Sequence, residues 1–195
     1  YVTQAQKMID FLIAQGVKLE RASDFWPDYY DEAPGGCKTS RTVTAAYFNK
    51  AELGKEWAAK LRPGFASAPA RLNEGLQLAY VAKSWKIKWL MVRIGLRIIA
   101  GKLTGKQWVS AGAALQGRML QAALKAGADV RTDSPVKELI VEDGRVTGVV
   151  AEIDGKPTRI GGALGVLINA GGFGQNQAMR DHFMPGTQAA WSNTP

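Results

Sequence analysis

Sulfur and imidazole are nearly missing from this sequence: one cysteine, Cys37, and one histidine, His182, serve 195 residues. A single cysteine excludes an internal disulfide framework and any cysteine-cluster metal site, and it suits a reducing, cytosolic setting. A lone histidine leaves little soft ligand for zinc or iron, so no metal is expected. A Ser-His-acid triad would hang entirely on His182, and Ser110 lacks the flanking glycines of a nucleophile elbow, which sets hydrolase chemistry aside. His182 itself follows Arg180-Asp181 on a polar helical turn and reads as a surface residue. Cys37 beside Gly35-Gly36 would be reactive only with a lowered pKa, for which Lys38 and Arg41 are the sole local argument.

Acid is missing from one long stretch. Between Glu74 and Asp129 there is no Asp or Glu, while Lys83, Lys86, Lys88, Arg93, Arg97, Lys102 and Lys106 recur, and the whole chain carries a formal charge of +8. Such a field draws anions: cofactor phosphates, a nucleic-acid backbone or an anionic membrane surface. Long uninterrupted apolar runs are missing too. Residues 76 to 103 are rich in Trp, Leu and Ile, but cations break the segment too often for a bilayer span of roughly 20 apolar residues, so it is not expected to cross a membrane. Three readings of the basic aromatic stretch 80 to 106 stay open. It can be a solvated helix face, an interfacial helix with Trp85, Trp89 and Ile98 at the headgroup level, or a nucleic-acid surface. No binding motif accompanies the last, and nucleic acid is not expected as a partner. Tyr1 opens on a polar, amphipathic run rather than a leader pattern, and the chain is expected to be a piece of a longer protein.

What is present alternates helix and strand signals. Met8, Ile9, Leu12 and Ile13 share a helical face, with Gly16 at the stop. Val17 to Glu20 reads as a strand, followed by a loop dense in aromatics, Pro and Gly from Phe25 and Trp26 through Tyr29 and Tyr30 to Gly36. A helix is predicted from about Lys50 to Ala59 with Arg62-Pro63-Gly64 as its stop, and another from about Ala70. Ser110 is placed to cap a helix over Ala111 to Lys125 that packs through Leu115, Met119, Ala122 and Ala123 and ends at Gly127. A strand over Asp129 to Thr132 should follow. Three antiparallel strands, Val136 to Val141, Arg145 to Ile153 and Lys156 to Ile160, are joined at Asp143-Gly144 and Asp154-Gly155. Val166-Leu167-Ile168 then reads as a short strand buried on both faces of a parallel sheet.

That last run closes in Asn169-Ala170-Gly171-Gly172, where glycine allows main chain to approach a flat or phosphorylated ligand closely. A flavin or nucleotide site is one reading, and a tight turn without a ligand the other. Gly172-Phe173-Gly174 is not a dinucleotide fingerprint, because Gln177 stands where the third small residue belongs.

Five blocks in order resemble the middle of FAD-dependent oxidoreductases of the fumarate reductase and succinate dehydrogenase flavoprotein type. They are Ala114-Leu115-Gln116-Gly117-Arg118-Met119-Leu120, Gly127-Ala128-Asp129-Val130, Ser134-Pro135-Val136, Gly144-Arg145-Val146-Thr147-Gly148-Val149, and Asn169 through Asn176. The run from Asp28-Tyr29-Tyr30 to Gly35-Gly36, with Arg41, is similar to the corresponding loop of the 3-ketosteroid dehydrogenase branch. The resemblance implies an α/β fold: a partial, Rossmann-like FAD-binding domain over residues 1–195. Within it a basic helical insertion would span about 50–106 and a helix-strand-meander-strand core about 110–176. It implies that the backbone of Val136 meets the adenine end of FAD, that Ala170, Gly171 and Gly172 pass close to the cofactor, and that Tyr29, with Tyr30 next, lines the substrate pocket.

The chain departs from that family's pattern in lacking the N-terminal glycine-rich pyrophosphate turn, its acidic ribose ligand and the C-terminal return. The expected activity is dehydrogenation of a 3-ketosteroid or similar ring ketone by hydride transfer to flavin. The alternatives are a fumarate reductase-like enzyme acting on a small acid and a peripheral membrane-binding module. The expected location is cytoplasmic, with peripheral contact at the inner membrane face as a variant. The bland reading of Tyr29 and Tyr30 has them packing on Phe25 and Trp26 over a core.

Overall fold

The computed structural model describes residues 2–22, 27–38, 41–62 and 68–192. Tyr1, Phe25, Trp26, Pro63 and Gly64, named above, lie outside the described residues. The chain divides into two compact units, one ending at Val130 and the other beginning at Arg131.

The first unit opens with α1, Val2–Ala14. Gly16 stops it as expected, with φ of +87° and its N–H on the Ile13 carbonyl. Ile9 and Leu12 are half-buried, whereas Met8 and Ile13 turn to solvent, so the inner face is narrower than the hydrophobic count implies. The first strand is β1, Leu19–Arg21, which starts two residues later and ends one later than expected, because its partner β2, Val43–Ala45, fixes the register Leu19 to Ala45 and Arg21 to Val43. A second pair joins β3, Phe48–Asn49, to β4, Trp108–Val109. None of β2, β3 and β4 was expected, since each is two or three residues long and gains its partner from far along the chain.

The helix expected over Lys50 to Ala59 is broken in two. A 3-10 turn, Lys50–Leu53, is capped by Asn49 Oδ1 on the Ala51 N–H, and α2, Gly54–Lys60, begins after the chain bends at Gly54 with φ of +81°. The next run divides likewise into α3, Leu72–Gln77, and a 3-10 stretch, Leu78–Lys83. The basic segment becomes α4, Trp85–Leu103, a single helix of 19 residues. Among the described residues no helix is long and apolar enough to cross a membrane.

Helix α5, Ala111–Lys125, packs on the core, but not through the residues expected. Its buried residues are Ala113, Ala114, Gly117 and Arg118, while Leu115 and Met119 are about 40% exposed. The reason is Phe48. Its ring is 1% exposed, and a Cβ added at Gly117 would lie 2.7 Å from Phe48 Cδ1, so only small residues let α5 come this close. Leu53, Leu61 and Val109 complete the core around that ring. Burying an aromatic side chain of this kind contributes about 1.5–3 kcal/mol. Ser110 holds the N-cap position of α5 but forms no side-chain capping bond.

In the second unit the meander forms as expected, in the order β5, Val136–Glu142, β6, Arg145–Ile153, and β7, Lys156–Gly161. Asp143-Gly144 and Asp154-Gly155 all have positive φ, between 51° and 76°. That is the turn whose twist matches paired strands. Two expected strands do not form: neither 129–132 nor 166–168 enters a ladder. Leu167 is 91% and Ile168 63% exposed, the opposite of the burial expected. A strand buried on both faces requires neighbours on both sides, and the described residues offer none. All pairing among them is antiparallel, and the fold is a mixed α/β part-domain. The unit continues into α6, Gln177–Phe183, with Asn176 Oδ1 capping the Met179 N–H at 3.1 Å, and a 3-10 turn, Ala189–Trp191, follows.

Candidate functional site

In the first unit the loop from Pro27 to Thr42 closes on itself. The Asp28 N–H donates to the Cys37 carbonyl at 3.1 Å, and the Cys37 N–H returns to Asp28 Oδ2 at 3.0 Å. Arg41 clamps the same carboxylate with two nitrogens and reaches the Gly35 carbonyl at 3.3 Å. The Arg41 hydrogen bond, aided by the Cys37 N–H, holds the Asp28 carboxyl below its ordinary pKa. Gly36 lies against the Tyr30-Asp31 peptide, and a Cβ there would overlap the Tyr30 carbonyl oxygen and stand 2.5 Å from that of Asp31.

This frame presents the two tyrosines outward. Tyr29 is 95% and Tyr30 73% exposed. They line a shallow cavity of about 440 Å³ together with Pro27, Pro34 and Thr42. The packing partners expected for them, Phe25 and Trp26, lie outside the described residues. A loop carrying two phenols can donate to a ketone oxygen or take a proton, which are the two tasks a phenol performs in catalysis.

The same unit holds a deeper cleft of about 530 Å³, walled by Glu20, Tyr47, Glu52, Arg71 and Arg118 among others. Its charges are engaged in structure. Arg71 pairs with Glu20 at 3.1 Å, and buried Arg118 donates to the carbonyls of Ala46 at 3.1 Å and Tyr47 at 2.8 Å. Burial lowers the Arg118 pKa, opposed by the charges of Glu52 and Glu20.

In the second unit Val136 starts β5 and is 57% exposed. Val136 pairs with Ala151 and Glu138 with Val150, which leaves Lys137 as the extra residue of a β-bulge. A bulge disrupts the ladder locally and frees main-chain groups. Ala170, Gly171 and Gly172 are exposed, and no atom lies within 4 Å of a Cβ built on either glycine. Gly171 has φ of +75°, a conformation costly to any residue with a Cβ. Arg180, 9% exposed, fixes the following turn by donating to the Gly174 carbonyl at 3.2 Å, while its Nε is buried without a hydrogen-bond partner among the described residues.

Sequence reasoning did not single out Gly36, Lys137 or Arg180. Only Gly36 carried a readable signal, as half of a glycine pair closing a Pro-rich loop. His182 is exposed and stacks edge-on to Phe183 at 4.5 Å, and Cys37 is half-buried. No group of metal-ligating side chains occurs among the described residues.

A family model described as FAD binding domain matches residues 1–195. The chain is similar to the 3-oxosteroid 1-dehydrogenase of Comamonas testosteroni, 32% identical over 194 residues that make up 94% of this chain and 34% of that protein. It is similar also to the 4-oxocyclohexanecarboxylate 2-dehydrogenase of Sinomonas cyclohexanicum, 28% identical over 191 residues, 94% of this chain and 30% of that protein. Among solved structures it matches the crystal structure of 3-ketosteroid delta1-dehydrogenase from Sterolibacterium denitrificans in complex with 1,4-androstadiene-3,17-dione. That match has a TM-score of 0.86 and 26% identity, and covers 100% of this chain and 37% of that one. The chain therefore spans about a third of the length of the curated relatives it matches.

Proposed function

The chain belongs to the FAD binding domain family, and on that premise we propose that it is part of an FAD-dependent oxidoreductase that dehydrogenates a 3-ketosteroid or similar ring ketone. The observation that carries the reading is the Asp28-to-Arg41 loop, whose clamp leaves Tyr29 and Tyr30 outward on a cavity wall. The relatives named above supply the substrate class: steroid ketones in two of them and a cyclohexanone acid in the third share a ring carbonyl. That shared group favours a ring ketone over the dicarboxylate of the fumarate reductase-like alternative.

The residues present suit FAD. Exposed main chain at Ala170, Gly171 and Gly172 carries no side chain to fend off a planar ring, and the bulge beside Val136 leaves backbone groups to read an adenine edge. Bound FAD supplies the acceptor for the hydride that leaves one ring carbon. Tyr29, or Tyr30 beside it, polarises the ketone oxygen as a neutral phenol or, as a phenolate, takes the proton that leaves the neighbouring carbon; in the second role the proton goes to the phenolate, the hydride to the acceptor, and a C=C bond is left between the two carbons. Asp28, Arg41 and Gly36 act as positioning residues by fixing the loop.

The test is anaerobic mixing of the purified full-length protein with a 3-ketosteroid and, separately, with a simple cyclohexanone acid and with succinate. Bleaching of flavin absorbance by a ring ketone is expected. Absence of bound flavin, or bleaching by succinate alone, would overturn the reading.

A further inference from the structure

Arg180 stands where the stability of the fold does not call for a cation. Every other residue of α6 is exposed, and Arg180 alone is buried, with its Nε lacking a hydrogen-bond partner among the described residues. The neighbouring Asp181 is taken by Gln177 Nε2 at 2.6 Å, and no ion pair to Arg180 occurs among the described residues. A buried charge without an opposite charge costs folding free energy, and an apolar side chain of similar volume would serve the fold as well or better. What Arg180 does make is one bond, from Nη1 to the Gly174 carbonyl at 3.2 Å.

That bond falls two residues past Gly172. A second tie lies beside it, where the Phe173 ring packs on Phe183 with centroids 5.7 Å apart. Of the two, Arg180 is the enclosed one, since Phe183 is 61% exposed. The Asn176 N–H closes the turn onto the Phe173 carbonyl at 2.9 Å, so residues 173 to 176 are held to α6 as one piece. The run before them has no such ties. Ala170, Gly171 and Gly172 are exposed, and neither glycine has a side chain with which to pack. Glycine backbone is conformationally permissive, so the place of this run is set by the anchored residues that follow it. Main chain already held in its bound geometry binds a ligand more tightly than main chain the ligand must order.

We propose that Arg180 is a positioning residue for FAD, acting through the Gly174 carbonyl to hold the main chain at Ala170, Gly171 and Gly172 in place for the cofactor. The inference rests on the proposed contact between that main chain and FAD.

The experiment titrates FAD into the full-length apoprotein and records the apoprotein's thermal melt, for the unsubstituted protein, Arg180→Met and Arg180→Lys. Arg180→Met should weaken FAD binding at least tenfold without lowering the melting temperature, because the charge it removes is buried and unpaired. Arg180→Lys keeps a donor for the Gly174 carbonyl and should recover most of the affinity, a rescue that a role in folding alone would not give. Two results would overturn the role of Arg180. One is FAD affinity in Arg180→Met equal to that of the unsubstituted protein. The other is a lowered melt in Arg180→Met together with no recovery of affinity in Arg180→Lys, which would make Arg180 a structural residue only. Unsubstituted apoprotein that takes up no FAD is a different failure, visible before any variant is compared, and overturns the proposed function itself.

Discussion

Arg41 and Asp28, 13 residues apart, are joined through two guanidinium nitrogens, and this pairing closes the loop that displays Tyr29 and Tyr30. The loop is exposed, so the pairing matters for position far more than for stability. Arg41→Ala in the full-length protein is expected to lower kcat/KM toward a ring ketone by on the order of 10²-fold, the usual effect of a small misplacement, with little change in Tm. Steady-state kinetics with a thermal melt check both halves. Gly36→Ala should reproduce the effect, because its Cβ displaces the Tyr30-Asp31 peptide.

Tyr29→Phe separates a chemical role from a lining role. Removing only the hydroxyl should reduce kcat by roughly 10²–10⁴-fold, the range of one acid-base group, while flavin content stays unchanged. If kcat falls only when Tyr30 is replaced, the role belongs to the second phenol.

Arg97 and Glu74 fasten α4 by a half-buried pair, with side chains 28% and 16% exposed. Burial alone would raise the Glu74 pKa, but hydrogen bonds from Arg97 and the Arg71 N–H outweigh it and hold the carboxyl below its ordinary value. The pair's contribution is therefore complete above the unfolded carboxyl's pKa and disappears as pH falls through the lower folded one. Glu74→Gln should cost about 1–3 kcal/mol near neutral pH and flatten the acid limb of the stability profile. Urea melts across acidic to neutral pH measure this.

Arg118 serves the carbonyls of Ala46 and Tyr47 from inside the first unit. Arg118→Met keeps most of the volume and strands both acceptors, for an expected loss of about 2–6 kcal/mol at 1–3 for each unpaired group. Denaturant melts of the full-length protein give the value.

Legibility in the sequence followed the range of each signal. The meander could be read because Asp143-Gly144 and Asp154-Gly155 specify their turns within two residues. Helix α4 showed in its cations and apolar spacing. The pairs β1–β2 and β3–β4 could not be seen, since strands of two or three residues have no period and their partners lie 22 to 61 residues away. On α5 hydrophobicity pointed to Leu115 and Met119, but the space beside Phe48 admits only Ala113, Ala114 and Gly117. Val166 to Ile168 has the composition of a central strand and no neighbours among the described residues. In the candidate site the Pro-Tyr-Gly loop announced itself, whereas the clamp from Arg41 depends on a contact that spacing does not reveal.

The central claim is that main chain at Ala170, Gly171 and Gly172 lies against FAD, and Gly172→Ala tests it most directly. Gly172 has no positive φ, and a Cβ there meets nothing within 4 Å, so the substitution is invisible to the fold. Equilibrium FAD binding to the full-length apoprotein should weaken by at least tenfold in this variant, with an unchanged thermal melt of the apoprotein. An affinity equal to that of the unsubstituted protein would contradict the claim.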